Sequence, residues 1–329
     1  MLTYKRNQGF SSAVLLEDNA MASLENVASV KIKIRKKKTP SDIVFDVIVY
    51  AVLILFAAVV LYPVINMLAY SFSDGKDAVY GRIHLLPHVW STKSYESVLF
   101  ERESIRNGAV TTIARTLIGT AIGVAANAFL AFILSRKKFI FKKGLSLFWI
   151  ITIYAQAGII PTLCLYRKLH LTYSFWVYII PGIISGIYVL VMRTYMKGIP
   201  DSLEEAAKLD GAGYIRIFWS IISPICMPVY AAIALFIATA HWNSWFDAMI
   251  YNKFMPQYTT LQYEIMKYTF YTMHIRSETN TIHKPEPLPV TPRTLRSALA
   301  VVSMLPLLIL YPFLQKYFVS GLTIRGVKD

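Results

Sequence analysis

Glu205-Ala206-Ala207-Lys208-Leu209-Asp210-Gly211-Ala212-Gly213 is a polar stretch lying between two strongly apolar runs. Pro200-Asp201-Ser202 precedes it, so Ser202 and Glu205 are placed to make a capping box at a helix start. Glu204 and Glu205 then fall in the first turn, where carboxylates suit the positive end of the helix dipole. Ala206 and Ala207 favour helix and keep one face slim. Gly211 follows Asp210 where a helix needs a left-handed residue to stop. A second short helical run, Tyr214 to Ile222, is expected to halt at Pro224 and lead into the next apolar run. The expectation is a folded helix-turn-helix insert. Local chemistry alone is equally met by a surface loop whose glutamates only cap.

The surroundings of this stretch are apolar on a scale that soluble domains do not reach. The chain has 329 residues, 55% of them hydrophobic and only 16% charged, with a mean hydropathy of +0.47. A soluble domain carries roughly 25% charged residues. The apolar residues come in blocks of about 20, the length a helix needs to cross a bilayer. Six blocks are predicted as spans: about Val44 to Tyr70, Gly108 to Leu134, Leu145 to Leu165, Phe175 to Met192, Pro228 to Tyr251 and Ala298 to Val319. The fold class expected is therefore an all-α integral membrane protein of six helices, with the insert between spans four and five.

The formal charge of +15 does not indicate nucleic-acid binding, because the cations are not interleaved with exposed aromatic platforms. They sit beside the apolar blocks, around 31–38, 136–143, 193–216 and 316–328. Excess Lys and Arg in short segments beside spans marks the cytoplasmic side. The expected topology is N-in and C-in, with the insert in the cytoplasm. Residues 1–40 read as a basic, partly disordered cytoplasmic segment whose run Lys31 to Lys38 sits at the anionic leaflet. Residues 41–329 read as the six-span domain, with the cytoplasmic insert at 193–227 and extracytoplasmic loops at 72–106 and 252–295. Within the latter, Leu261 to Tyr268 has helical apolar spacing and either lies along the membrane surface or packs on the spans.

No bond chemistry is visible. Cys164 and Cys226 lie far apart, without metal-ligand neighbours. There is no phosphate loop, no H-E-x-x-H and no nucleophile elbow. The chain is not expected to be an enzyme.

The spacing of Glu205-Ala206-Ala207, Gly211, Ile221 and Pro224 resembles the signature loop of permease subunits of bacterial ATP-binding-cassette (ABC) importers; Ser223 replaces the leucine often found before the proline. Gly158-Ile159-Ile160-Pro161-Thr162, Phe175-Trp176 with Ile180-Pro181, Trp242-Asn243-Ser244-Trp245-Phe246-Asp247 and Pro312 to Gly321 are similar to the carbohydrate branch, which includes the maltose-type permeases. The resemblance covers about residues 40–329. It implies a type I importer permease fold and a coupling helix whose Glu205, Ala206, Ala207, Asp210 and Gly211 meet a separate ATPase. It implies further partners: a second permease, two ATPase subunits and an extracytoplasmic solute-binding protein. It also implies ATP and Mg on the ATPases with no cofactor in this chain, and a bacterial cytoplasmic (inner) membrane location. The function expected is import of a carbohydrate by alternating access. An importer of the same architecture for another solute is the nearest rival, and a secondary transporter the more distant one.

Polar residues inside spans are costly and usually face a cavity or partner. Two destinations fit Arg115: the pathway, or the interface reached along its own stem. Asn127, Tyr154, Gln156, Trp242, Asn243, Trp245 and Asp247 are the other pathway candidates. Amides and carboxylates bond sugar hydroxyls, and aromatic faces cover sugar C–H surfaces. The same residues equally suit interfacial anchors and helix ties.

Overall fold

The computed structural model describes residues 39–81, 83–136, 139–155, 157–278 and 289–323, with side chains left undescribed at 272–278 and 310–323. The expectations for residues 1–38, Gln156, 284–288 and 324–329 lie outside the described residues, as do those for the side chains of 312–321. By internal contacts the chain divides into two units, 1–60 and 61–329, with the boundary inside the first long helix.

That helix, α1 (Pro40–Ser71), starts where Asp42 accepts hydrogen bonds from the Thr39 backbone N–H (2.9 Å) and hydroxyl (2.7 Å). Its most apolar window has a mean hydropathy of 2.9 and no buried residue. A helix apolar all round and exposed all round suits lipid or another protein.

In the second unit the organising element is α2 (Glu103–Ser135). It is followed by α3 (Lys142–Tyr154), α4 (Ile159–Lys168), α5 (Gly186–Lys197), α6 (Asp201–Leu209), α7 (Met227–Asn243), α8 (Leu261–Glu278) and α9 (Pro292–Thr323). Helix α2 packs against α5, α7 and α8, while α9 packs on α7 and α8. Close packing follows from the sequence of α2. Arg115, Gly119, Gly123, Asn127 and Ala131 recur every fourth residue and form one buried stripe. At Gly119 a Cβ would stand 2.4 Å from His241 Nε2 of α7, so any larger residue there requires the imidazole to move. Among the described residues there is no strand, only an isolated bridge between Ser73 and Trp90.

The apolar blocks locate α1, α2 and α9, but the continuous helices expected for spans three to five are corrected. Between Leu145 and Leu165 the chain forms two helices, α3 and α4. From Phe175 it runs through two 3₁₀ turns, Phe175–Tyr178 and Ile180–Gly182, before α5, with a bend of 48°. Pro181 explains the interruption: it lacks an N–H and biases Ile180 away from helix. Helix α7 stops at Asn243, and the chain resumes as a helix only at Phe246–Tyr251. Among the described residues three helices are long and apolar enough to cross a membrane, or up to six if each bent pair is one span. Helix α8 packs on α2 and α9, the second of the two arrangements open to it.

Candidate functional site

The insert has the expected helix-turn-helix form, with two corrections. Helix α6 begins at Asp201 behind Pro200, whose φ of −58° and ψ of 134° supply the extended entry. Ser202 is therefore inside the first turn, and no side chain caps the start; the capping box of Ser202 and Glu205 does not form. Pro224 does not halt the second run. Helix Tyr214–Ile217, a π turn Phe218–Ile222 and Ser223–Ile225 succeed one another, and the break comes at Cys226 with a bend of 82° into α7. The wide turn before Pro224 relieves the register in which its missing N–H and its ring would break a regular helix.

The end of α6 matches the expectation. Gly211 takes a φ of +76°. Its N–H donates to the Lys208 carbonyl (3.0 Å) and that of Ala212 to the Ala207 carbonyl (2.9 Å), a Schellman closure. Ala207 is buried in one apolar cluster with Ala131, Leu134, Met196 and Phe218. Glu205, Ala206, Asp210 and Gly211 are exposed. So is an apolar set on the same insert: Leu209, 89% exposed, with Ile215 and Trp219.

Glu204 was not a sequence candidate, yet it holds the insert. Its carboxylate accepts hydrogen bonds from the Arg136 guanidinium and the Lys208 ammonium. Burial pushes its pKa up, but the Lys208 and Arg136 hydrogen bonds outweigh that and hold it below the ordinary 4.5. The hydrogen bond with Glu204 in turn raises Lys208. Lys208 also lies 4.6 Å from the Tyr214 ring centroid. The signals in the sequence were a first-turn acid four residues before a lysine, and a basic stretch opening at Arg136.

A second polar cluster lies farther up α2. Arg115, 2% exposed, donates to both oxygens of Asp247 at 2.5 and 3.2 Å. It also donates to the Ser244 carbonyl at 3.5 Å and covers the Tyr178 ring at 4.4 Å. The guanidinium thus spans the break between α7 and Phe246–Tyr251. Asp247 is held in turn by the Ala248 N–H (2.9 Å). This tie is compatible with either destination open to Arg115, since Asp247 keeps 22% of its side chain exposed.

Asn127 does the same at the next break. Its Nδ2 donates to the Ile183 carbonyl (2.8 Å), and its Oδ1 accepts from the Ser185 N–H (2.9 Å). Thr111 donates to the Gln257 carbonyl, and Thr112 accepts the Leu261 N–H at the start of α8. Where broken helices free backbone groups in an apolar setting, something must satisfy them. Here α2 does.

The remaining candidates disperse. Trp242 is buried and donates to the Ser303 carbonyl of α9 (3.0 Å). Asn243 is exposed and accepts from Gln262 (3.3 Å). Trp245 packs edge-on against Phe246 and Phe270. Tyr154 is exposed. Of these, Trp245 packs in the cluster that holds Tyr178, the ring Arg115 covers.

No protein-family model matches the chain. The polygalacturonan/rhamnogalacturonan transport system permease protein YtcP of Bacillus subtilis (strain 168) is 29% identical over 284 residues, 86% of this chain and 98% of that protein. The maltodextrin transport system permease protein MdxG of the same organism is 26% identical over 288 residues, 85% and 95% of the two chains. A solved bacterial ABC transporter involved in the import of the acidic polysaccharide alginate matches at 27% identity and a TM-score of 0.75, covering 86% of this chain and 99% of that one. The chain is a homologue of carbohydrate ABC-transporter permeases. The likeness covers 86% of the chain, and with the apolar helices it makes this an integral membrane protein of the permease fold. The relatives are transport permeases, not enzymes.

Proposed function

We propose that this chain is a permease subunit of an ATP-driven carbohydrate importer. It would form the translocation pathway with a second permease by alternating access. Two separate ATPase subunits would supply the drive, carrying ATP and Mg, with no cofactor in this chain. An extracytoplasmic binding protein would deliver the solute. The six apolar segments, counting each bent pair as one span, sit in the bacterial cytoplasmic (inner) membrane with both termini inside.

The observation that carries this reading is the form of the insert. Ala207 anchors α6 in the apolar cluster, while Glu205, Ala206, Asp210 and the apolar Leu209 face outward on a helix closed at Gly211. An exposed apolar and acidic surface on a rigid, doubly anchored helix suits a protein partner. Cations gathered at 136–143 and 193–216 support placing that surface in the cytoplasm.

An acidic oligosaccharide is the substrate class we favour, because one relative is named for polygalacturonan and the solved neighbour for alginate. Arg115, neutralised by Asp247, is not the basis of that preference. The test is uptake into proteoliposomes holding the full complex, with oligogalacturonides against malto-oligosaccharides. ATP-dependent uptake of the acidic sugar is expected. Uptake that persists without the ATPase subunits would overturn the reading, and a preference for neutral sugar would overturn only the substrate class.

A further inference from the structure

We propose that the Glu204–Arg136 bond is the link through which the insert moves α2, and that Glu204 rather than Glu205 is the positioning residue of coupling. The inference rests on the reading of α6 as the ATPase-facing element.

Three elements meet at one carboxylate. Arg136, the residue next after α2, bonds one oxygen of Glu204, and Lys208 of α6 bonds the other. Lys208 also covers Tyr214, the first residue of the second arm of the insert. Arg136 is itself held: its Nε donates to Ser135 Oγ (2.9 Å), and its guanidinium lies 4.9 Å from the Phe132 ring centroid. The Lys142 ammonium donates to its carbonyl (3.4 Å). No part of this node moves alone.

Burial makes the bond suitable for transmitting force. Arg136 and Glu204 are 11% and 12% exposed, too little for the screening that makes surface pairs nearly worthless. Ala207 shares an apolar cluster with Ala131 and Leu134 of α2, and packing of that kind has no direction. A charge-assisted hydrogen bond is directional and roughly twice as strong as a neutral one. Glu205 lies about 100° further round α6 and is exposed, the position for a partner contact rather than an internal one. Beside the node is a cavity of about 270 Å³ lined by Phe129, Phe132, Ile133, Phe139, Tyr214 and Ile215 together with Arg136. That space lets the node shift without clashes.

The experiment uses the complete reconstituted complex and reads solute taken up per ATP hydrolysed, normalised to assembled complex. Glu204→Gln removes the charge and keeps the shape; uptake per ATP is expected to fall about tenfold, equivalent to ~1.4 kcal/mol. Glu204→Asp restores part of it. Arg136→Gln reproduces the loss, and the double variant is no worse than either single one, because both break one bond. A merely structural role lowers the yield of complex and leaves uptake per ATP unchanged. That result, or additive losses, overturns the inference. If E204Q does not assemble, R136Q carries the measurement, and failure of both to assemble also counts against it. Wild-type complex without ATP-dependent uptake overturns the underlying reading, and this inference with it, before any variant is compared.

Discussion

Arg115 within α2 and Arg136 just past its end lie about 30 Å apart along the helix direction at 1.5 Å per residue, and each meets a carboxylate from later in the chain. Arg115 is almost fully enclosed, bonds both oxygens of Asp247 and closes a break in the path of another helix. Arg136 is less enclosed, shares Glu204 with Lys208 and borders a cavity. The first arrangement leaves no slack and the second leaves some. One helix is thus pinned in its upper part and coupled at its lower end. The contrast teaches that an arginine in an apolar helix can be architecture or linkage according to what its partner belongs to.

The sharpest way to break the contrast is to remove one member of the pinned pair. Arg115→Ala leaves Asp247 without its cation, and unpaired buried charges cost about 3–5 kcal/mol. The expected result is a large fall in Tm, or loss of monodisperse protein, in detergent-solubilised complex. Arg115→Met with Asp247→Leu removes both charges and is expected to recover most of the lost stability. R115A as stable as wild type would mean that the pair is not the pin described here.

A step smaller is Gly119, one turn below Arg115. Alanine there places a methyl 2.4 Å from His241 Nε2. Overpacking of this kind costs about 1–3 kcal/mol. G119A should lower Tm, and His241→Ala in the same chain should restore it by opening the space. If H241A gives no relief, the close approach of α2 and α7 is not what confines residue 119 to glycine.

How much of this was legible beforehand follows from which forces act locally. The apolar blocks gave α1, α2 and α9, because length and composition are enough for a helix in lipid. The breaks in the other blocks were not legible. Ile180-Pro181 carries part of the family resemblance, but whether a proline kinks or ends a helix depends on partners for the freed groups, and Asn127 lies more than fifty residues away in the chain. Arg115 and Asp247 were each picked as polar residues at depth, yet their pairing needs the tertiary approach of α2 and α7. On the insert, Gly211 was readable because positive φ is a local demand. Glu204 is not legible as the inward acid because its partner Arg136 lies 68 residues away in the chain. The neighbouring Glu205, about 100° round the helix, has the same local credentials.

The coupled end yields smaller effects. Gly211→Ala forces a left-handed conformation on a residue with a Cβ, at a cost of about 1 kcal/mol. Gly213, with a φ of −72°, should accept alanine with little change. A drop in Tm for G211A with none for G213A checks that the turn requires φ rather than space, since neither position has a neighbour within 4 Å.

The smallest change in stability is expected where the change in assembly is largest. Leu209 points its side chain away from the cluster that holds Ala207, so Leu209→Ser removes no internal packing. Its unfolding free energy should stay within about 0.5 kcal/mol of wild type, as for other surface substitutions, with Tm nearly unchanged. The ATPase subunit should nevertheless co-purify less, because a large exposed leucine on a rigid helix is a natural anchor for a partner pocket. Co-purification at wild-type levels would remove Leu209 from the docking face and leave Glu205, Ala206 and Asp210 to carry it. A fall in Tm would show instead that α6 packs inward through Leu209. In that case the coupled end would be as tightly pinned as the Arg115 end, and the contrast between the two arginines would fail.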